Sequence, residues 1–83
     1  MSEKKTITME SKYGVGDTAY LVANNYQDSI RVKVVGVNAR ISTFTYDLEF
    51  LEDYDTFLPG YTVENIQSYH LFDSLVDIEP YRM

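Results

Sequence analysis

The sequence predicts an all-β domain of about five short strands, bent into a small barrel, with one short helical turn. Three observations predict it. Apolar and polar residues alternate with a period of two over residues 30–34 and 42–50, the pattern of strands with one buried face. Turn residues recur between the candidate strands: Gly14-Val15-Gly16-Asp17, Asn24-Asn25, Asn38-Ala39-Arg40 and Pro59-Gly60. The chain has 83 residues, room for one small domain. An open sheet of that size leaves long edges unpaired, and closure removes them.

Residues 1–12 are polar and without turn punctuation, and read as an N-terminal tail or an edge strand, since Ile7 and Met9 alternate with Thr6 and Thr8. Residues 13–83 form the domain. Tyr13 to Asp17 is a turn that delivers the chain into a first strand, Thr18 to Val22, with Tyr20 and Val22 expected on its buried face. Asn24 to Ser29 is a polar loop. Ile30, Val32 and Val34 alternate with Arg31 and Lys33, and Gly36 marks a bulge or sharp bend in that second strand. Asn38-Ala39-Arg40 is the expected hairpin connection. The third strand has the clearest pattern: Ser42, Phe44, Tyr46, Leu48 and Phe50 on one face, Thr43, Thr45, Asp47 and Glu49 on the other. A slip of one residue would bury two carboxylates, so its register is well determined. Glu52 to Thr56 is an acidic loop. Tyr61-Thr62-Val63 reads as a short strand and Glu64-Asn65-Ile66 as a tight turn. Over residues 68–78, Leu71, Leu75 and Ile78 fit a helical stripe, but a final short strand fits the length equally well.

Tyr13-x-Val15-Gly16-Asp17, then Tyr20-Leu21-Val22, Gly36-Val37 and finally Tyr61-x-Val63-Glu64-Asn65-Ile66 resemble the layout of small SH3-like barrels found among short bacterial and phage proteins. The similarity covers about residues 13–66. It implies the barrel fold, and a context of accessory, modulator or inhibitor proteins.

Composition narrows the function. Hydrophobic residues are 45% and charged residues 24% of the chain, with a net charge of −6. A direct grip on nucleic-acid phosphates needs clustered cations and is not expected. There is no cysteine, hence no disulfide framework, thiol nucleophile or Cys-ligated zinc. The longest apolar run is five residues, Ala19–Ala23, too short for a membrane helix or a signal-peptide core, so the expected compartment is the cytoplasm. Charge is uneven along the chain. Residues 1–40 hold six cations and four acids, and residues 41–83 hold Arg82 against nine acids. An acidic surface follows if those acids share one side of the fold.

Candidate chemistry is sparse. His70 is the single histidine and lacks an adjacent nucleophile motif or glycine framing, so no catalytic residue is assigned. Gly14-x-Gly16 precedes a strand and lacks the remaining glycines of a phosphate loop. Asp53-x-Asp55 starts like a calcium loop, but Phe57 and Leu58 stand where a ligand and a glycine are needed, so neither metal nor cofactor is assigned. Eight tyrosines are many for this length. Tyr26, Tyr54 and Tyr69 fall in or beside polar loops, where an exposed Tyr next to charge suits a protein contact.

The expectation from sequence is therefore a non-enzymatic protein-binding module. It docks an acidic, tyrosine-bearing surface made of Asp47, Glu49, Glu52, Asp53, Tyr54, Asp55, Tyr26 and Tyr69 onto a partner protein with a basic surface. It binds neither nucleic acid nor membrane, and a homodimer is compatible with it. The alternative is an acidic nucleic-acid mimic that inhibits a host nucleic-acid enzyme, of the anti-restriction or anti-CRISPR type. Asp47 and Glu49, two apart on one face, stand about 6.6–7 Å apart along the strand, near the per-strand phosphate spacing.

Overall fold

A computed structural model describes residues 11–82. The predicted N-terminal tail or edge strand therefore lies, except for Ser11 and Lys12, outside the described residues. Five antiparallel strands form one sheet: β1 (Thr18–Ala23), β2 (Asp28–Ala39), β3 (Phe44–Phe50), β4 (Thr62–Gln67) and β5 (Leu71–Phe72), in the order β4-β3-β2-β1-β5. A 3-10 turn, Ser68–His70, joins β4 to β5, and a short helix, α1 (Leu75–Ile78), runs into a second 3-10 turn, Glu79–Tyr81. The predicted closure is not seen. Among the described residues the strand order begins at β4 and ends at β5, and these two do not pair.

The period-two patterns are obeyed. Val32 lies opposite Phe50 and Val34 opposite Leu48, while Lys33 lies opposite Glu49 on the other face. Ile30, Val32, Val34, Tyr46, Leu48 and Phe50 form the core with Tyr13, Ala19 and Leu71. The face expected in β1 is corrected. Ala19 pairs with Val32 and Leu21 with Ile30, so these two point into the core, and Tyr20 stands opposite Arg31 on the outer face. Ala19 shares the buried cluster with Tyr13 and Leu71, which no periodicity within β1 reveals. Val22 is buried all the same.

Two bulges shape the middle of the sheet. The first is the one expected at Gly36. The β2–β3 register shifts between Val34 and Gly36, and a Cβ at Gly36 would stand 2.6 Å from Asp47 Oδ2. Only glycine lets the facing carboxylate come this close. The second bulge corrects the tight turn expected at Glu64-Asn65-Ile66. These residues stay inside β4, where the register shifts between Tyr46–Ile66 and Leu48–Val63, so Glu64 and Asn65 together oppose Asp47. Asn65 adopts φ +59°, a left-handed conformation that Asn tolerates better than most residues. The β2–β3 connection also starts later than predicted: β2 runs to Ala39, and Arg40 N–H donates to Thr43 O at 2.8 Å across the turn. Ser42 is thus an exposed loop residue, outside β3. The ambiguity over residues 68–78 resolves into both answers, a two-residue strand followed by a four-residue helix.

Candidate functional site

Folding brings part of the basic half of the chain beside part of the acidic half. Because β2 belongs to the basic half and β3 to the acidic half, their antiparallel pairing lays cations beside acids. Glu49 faces Lys33 across the sheet. Asp47 Oδ1 accepts hydrogen bonds from Asn38 Nδ2 (2.9 Å) and from the Asn65 backbone N–H (3.0 Å). Asn65 Oδ1 in turn accepts from Thr45 Oγ1 (3.1 Å) and from Arg40 Nη2. Asp47 thus ties the Gly36 bulge to the Asn65 bulge, and is half-buried where a wet carboxylate was expected. Glu52 is exposed, and its Oε2 accepts from the Arg31 backbone N–H at 2.6 Å. Asp53 and Asp55 are exposed in the loop after β3. The remaining acids include Asp73, Asp77 and Glu79, beyond β5 at the opposite edge of the sheet. Three inter-strand steps separate β3 from β5, about 14 Å.

Six of the eight tyrosines fall into two groups. In one, the hydroxyl is used inside the fold. Tyr46 Oη accepts from the Lys12 N–H (2.8 Å) and the Tyr13 N–H (3.4 Å), and the two rings meet edge to face. Tyr13 Oη donates to Asp73 Oδ1 at 2.7 Å. Burial, reinforced by that carboxylate, pushes the Tyr13 hydroxyl well above its ordinary pKa. Tyr54 Oη donates to Asp28 Oδ2 at 2.9 Å, and this bond raises its pKa as well. Tyr54 is thereby fastened to the start of β2.

The second group meets at one corner. The β1–β2 turn places Asn24, Asn25 and Tyr26 at φ +53°, +54° and +68°. A left-handed tyrosine is unusual and strained, and its surroundings hold it there. The Tyr26 ring stacks on Tyr81 at 5.1 Å and meets Phe72 edge to face at 6.2 Å. Its carbonyl accepts from Arg82 Nε at 2.9 Å. Tyr69, in the 3-10 turn, is 61% exposed, with its ring 4.3 Å from that of His70. Tyr26, Tyr69, Phe72 and Tyr81 line one recess of about 280 Å³ together with Lys12. His70 joins Tyr26, Val22 and the two turn asparagines around a neighbouring recess. Of the sequence-predicted site residues, the fold therefore brings Tyr26 and Tyr69 together. It sets Asp47 and Glu49 within a mixed-charge face, and leaves Asp53 and Asp55 on a separate loop. Phe72, Tyr81, His70 and Lys12 were not predicted at this corner. They arrive from both ends of the chain, and no local pattern couples them to Tyr26.

Among the described residues, no group of three or more His, Cys, Asp or Glu is placed to hold a metal ion, and no helix is long and apolar enough to cross a membrane. Compared with protein-family models, curated proteins and solved structures, the chain matches none.

Proposed function

We propose that the chain is a non-enzymatic protein-binding module, a small modulator of the SH3-like bacterial or phage kind, that docks its tyrosine corner on a partner protein. The observation that carries this reading is the corner itself: an exposed Tyr69 around one recess with the stacked Tyr26 and Tyr81 and with Phe72, which meets both rings edge to face. Rings held by one another offer large contact area at low entropic cost, which is the chemistry of interface anchors. Asp73, Asp77 and Glu79 stand on the same stretch of chain as Phe72 and Tyr81, and with the net charge of −6 they favour a partner with a basic face. Five antiparallel strands in the order β4-β3-β2-β1-β5, with a 3-10 turn before the last, support the SH3-like reading. The nucleic-acid mimic needs a row of acids on one face. Lys33 opposite Glu49 and the internal bonds of Asp47 favour the tyrosine reading over it.

The test compares wild type with Tyr69→Ala in affinity capture, then measures affinity for the captured protein. Loss of an anchoring aromatic weakens binding by about 30-fold or more, while folding stability shifts by less than about 1 kcal/mol, because the side chain is exposed. An unchanged affinity with Tyr69→Ala and with Tyr81→Ala sets the corner aside as the contact.

A further inference from the structure

Among the described residues the strand order leaves β4 at one edge of the sheet, six residues long, while the opposite edge is the two-residue β5. A long edge is a template for another strand unless something blunts it. Here the blunting device is the Glu64–Asn65 bulge, which makes β4 one residue too long for a regular strand laid beside it. A second β4 carries the same extra residue.

We propose that β4 pairs antiparallel with β4 of a second copy of this chain, about a two-fold axis perpendicular to the sheet. The register sets Val63 opposite the second copy's Ile66, Glu64 opposite its Asn65 and Thr62 opposite its Gln67, with each pair repeated by the symmetry. Three observations converge on this register. First, two residues then stand opposite two across the bulge, so the irregularity against β3 is matched by its own copy. Second, the faces agree. Val63 and Ile66 lie opposite the core residues Leu48 and Tyr46, whereas Thr62 and Gln67 lie opposite Glu49 and Thr45 on the outer face. Val63 and Ile66 are only half-buried in the single chain, and the pairing covers both twice.

Third, the charges are complementary. Glu64 is exposed, and the single ion pair among the described residues is Arg82 with Glu79. Arg40 reaches Asn65 Oδ1 at the same edge. Placing Glu64 opposite the second copy's Asn65 brings it to that copy's Arg40, and the two-fold makes the pair twice. A register centred on Glu64 would instead set two carboxylates face to face, which destabilises a sheet. The net charge of −6 on each copy opposes association, so the dimer is weak and forms at high protein concentration.

The chain has no cysteine, which allows a register-specific test on the full chain. Residues directly opposite in an antiparallel pair have Cα atoms about 4.5–5.5 Å apart, within the range a disulfide spans. Thr62→Cys and Gln67→Cys chains are mixed at high concentration and oxidised. The mixed disulfide is expected to dominate, because two copies of Thr62 would lie about 17 Å apart in this register. Statistical mixing of the three species, or no disulfide at all, overturns the proposal. Both positions are exposed, so the fold tolerates them. Sedimentation equilibrium supplies an independent reading. The wild type shows a concentration-dependent dimer, Glu64→Arg and Arg40→Glu are each monomeric, and the double variant dimerises again. A wild type that is monomeric at every concentration, or a double variant that fails to regain the dimer while its circular dichroism is unchanged, contradicts the pairing.

Discussion

The outer face of β2–β3–β4 and the corner around Tyr26 are built from similar side chains put to opposite uses. On the sheet face, Asn38, Arg40, Thr45, Asp47 and Asn65 direct their hydrogen bonds to one another. These bonds join the two bulges, and Lys33 lies opposite Glu49. At the corner, Tyr69 and Tyr81 keep more than half their surface in water. The tilted contact of Tyr69 with His70 and the stacking of Tyr81 on Tyr26 order the rings without using up their contact area. A polar or aromatic residue that is satisfied internally belongs to folding. One that is ordered yet still exposed is available to a partner. By that criterion Asp47 belongs to the first class, and the tyrosine corner, which we propose as the contact, to the second.

Substitutions sharpen this contrast, and the largest effect is expected beneath the sheet face. Tyr46 is 1% exposed and holds Lys12 and Tyr13 through its hydroxyl. Tyr46→Ala is expected to destabilise by about 3–5 kcal/mol, a large part of the stability of a small domain. Urea unfolding measures it. Next comes Gly36→Ala, whose new Cβ collides with Asp47 and must push it off Asn38 and Asn65. A loss of about 1–3 kcal/mol is expected. In an Asp47→Ala background the same change should be nearly silent, and a double-mutant cycle checks that coupling. Full additivity would mean that Asp47 is not what Gly36 accommodates.

The Tyr13 hydroxyl gives a pH signature of intermediate size. Its folded-state pKa lies above the ordinary value of 10.0, so above about pH 10 the unfolded chain loses this proton more readily than the folded one. Stability is complete below that pH and falls as pH rises above it. Tyr13→Phe is expected to flatten the fall above about pH 10, read from urea midpoints. An unchanged slope would show that the hydroxyl is not protected by burial and Asp73. The smallest effect is expected from Asp53→Asn with Asp55→Asn, both exposed in the loop after β3, at less than about 0.5 kcal/mol. Neutralising Asp47 alongside them should raise the loss to about 1–2 kcal/mol, because Asp47 accepts two hydrogen bonds that the loop acids do not.

The same contrast separates what was legible in the sequence from what was not. Strand identity was readable wherever one face is buried, as in Ile30-Val32-Val34 and Tyr46-Leu48-Phe50, because alternation is a local signal. The Gly36 bulge was readable because a glycine inside a β-branched run weakens a straight strand and marks where it bends. The face of β1 was not, since Ala19 is small and weakly apolar, and the cluster that buries it includes Tyr13 and Leu71 from elsewhere in the chain. Asn65 read as a turn because its left-handed conformation is the same in a turn and in a bulge. For the site, Tyr26 and Tyr69 were legible as loop aromatics, but their partners Phe72 and Tyr81 were not, since stacking across more than forty residues leaves no pattern in sequence. The acidic face was read from charge summed along the chain, and such a sum does not carry the cross-strand pairing that sets Lys33 opposite Glu49.

The separation between latched face and available corner can be measured directly by mapping amide chemical shifts of the labelled chain as the captured partner is added. Shifts are expected at Tyr26, Tyr69, His70, Phe72 and Tyr81, with Asp47, Glu49 and Lys33 unmoved. Shifts concentrated on Asp47, Glu49 and the Asp53–Asp55 loop, with Tyr69 and Tyr81 silent, would contradict the assignment of the tyrosine corner as the contact surface.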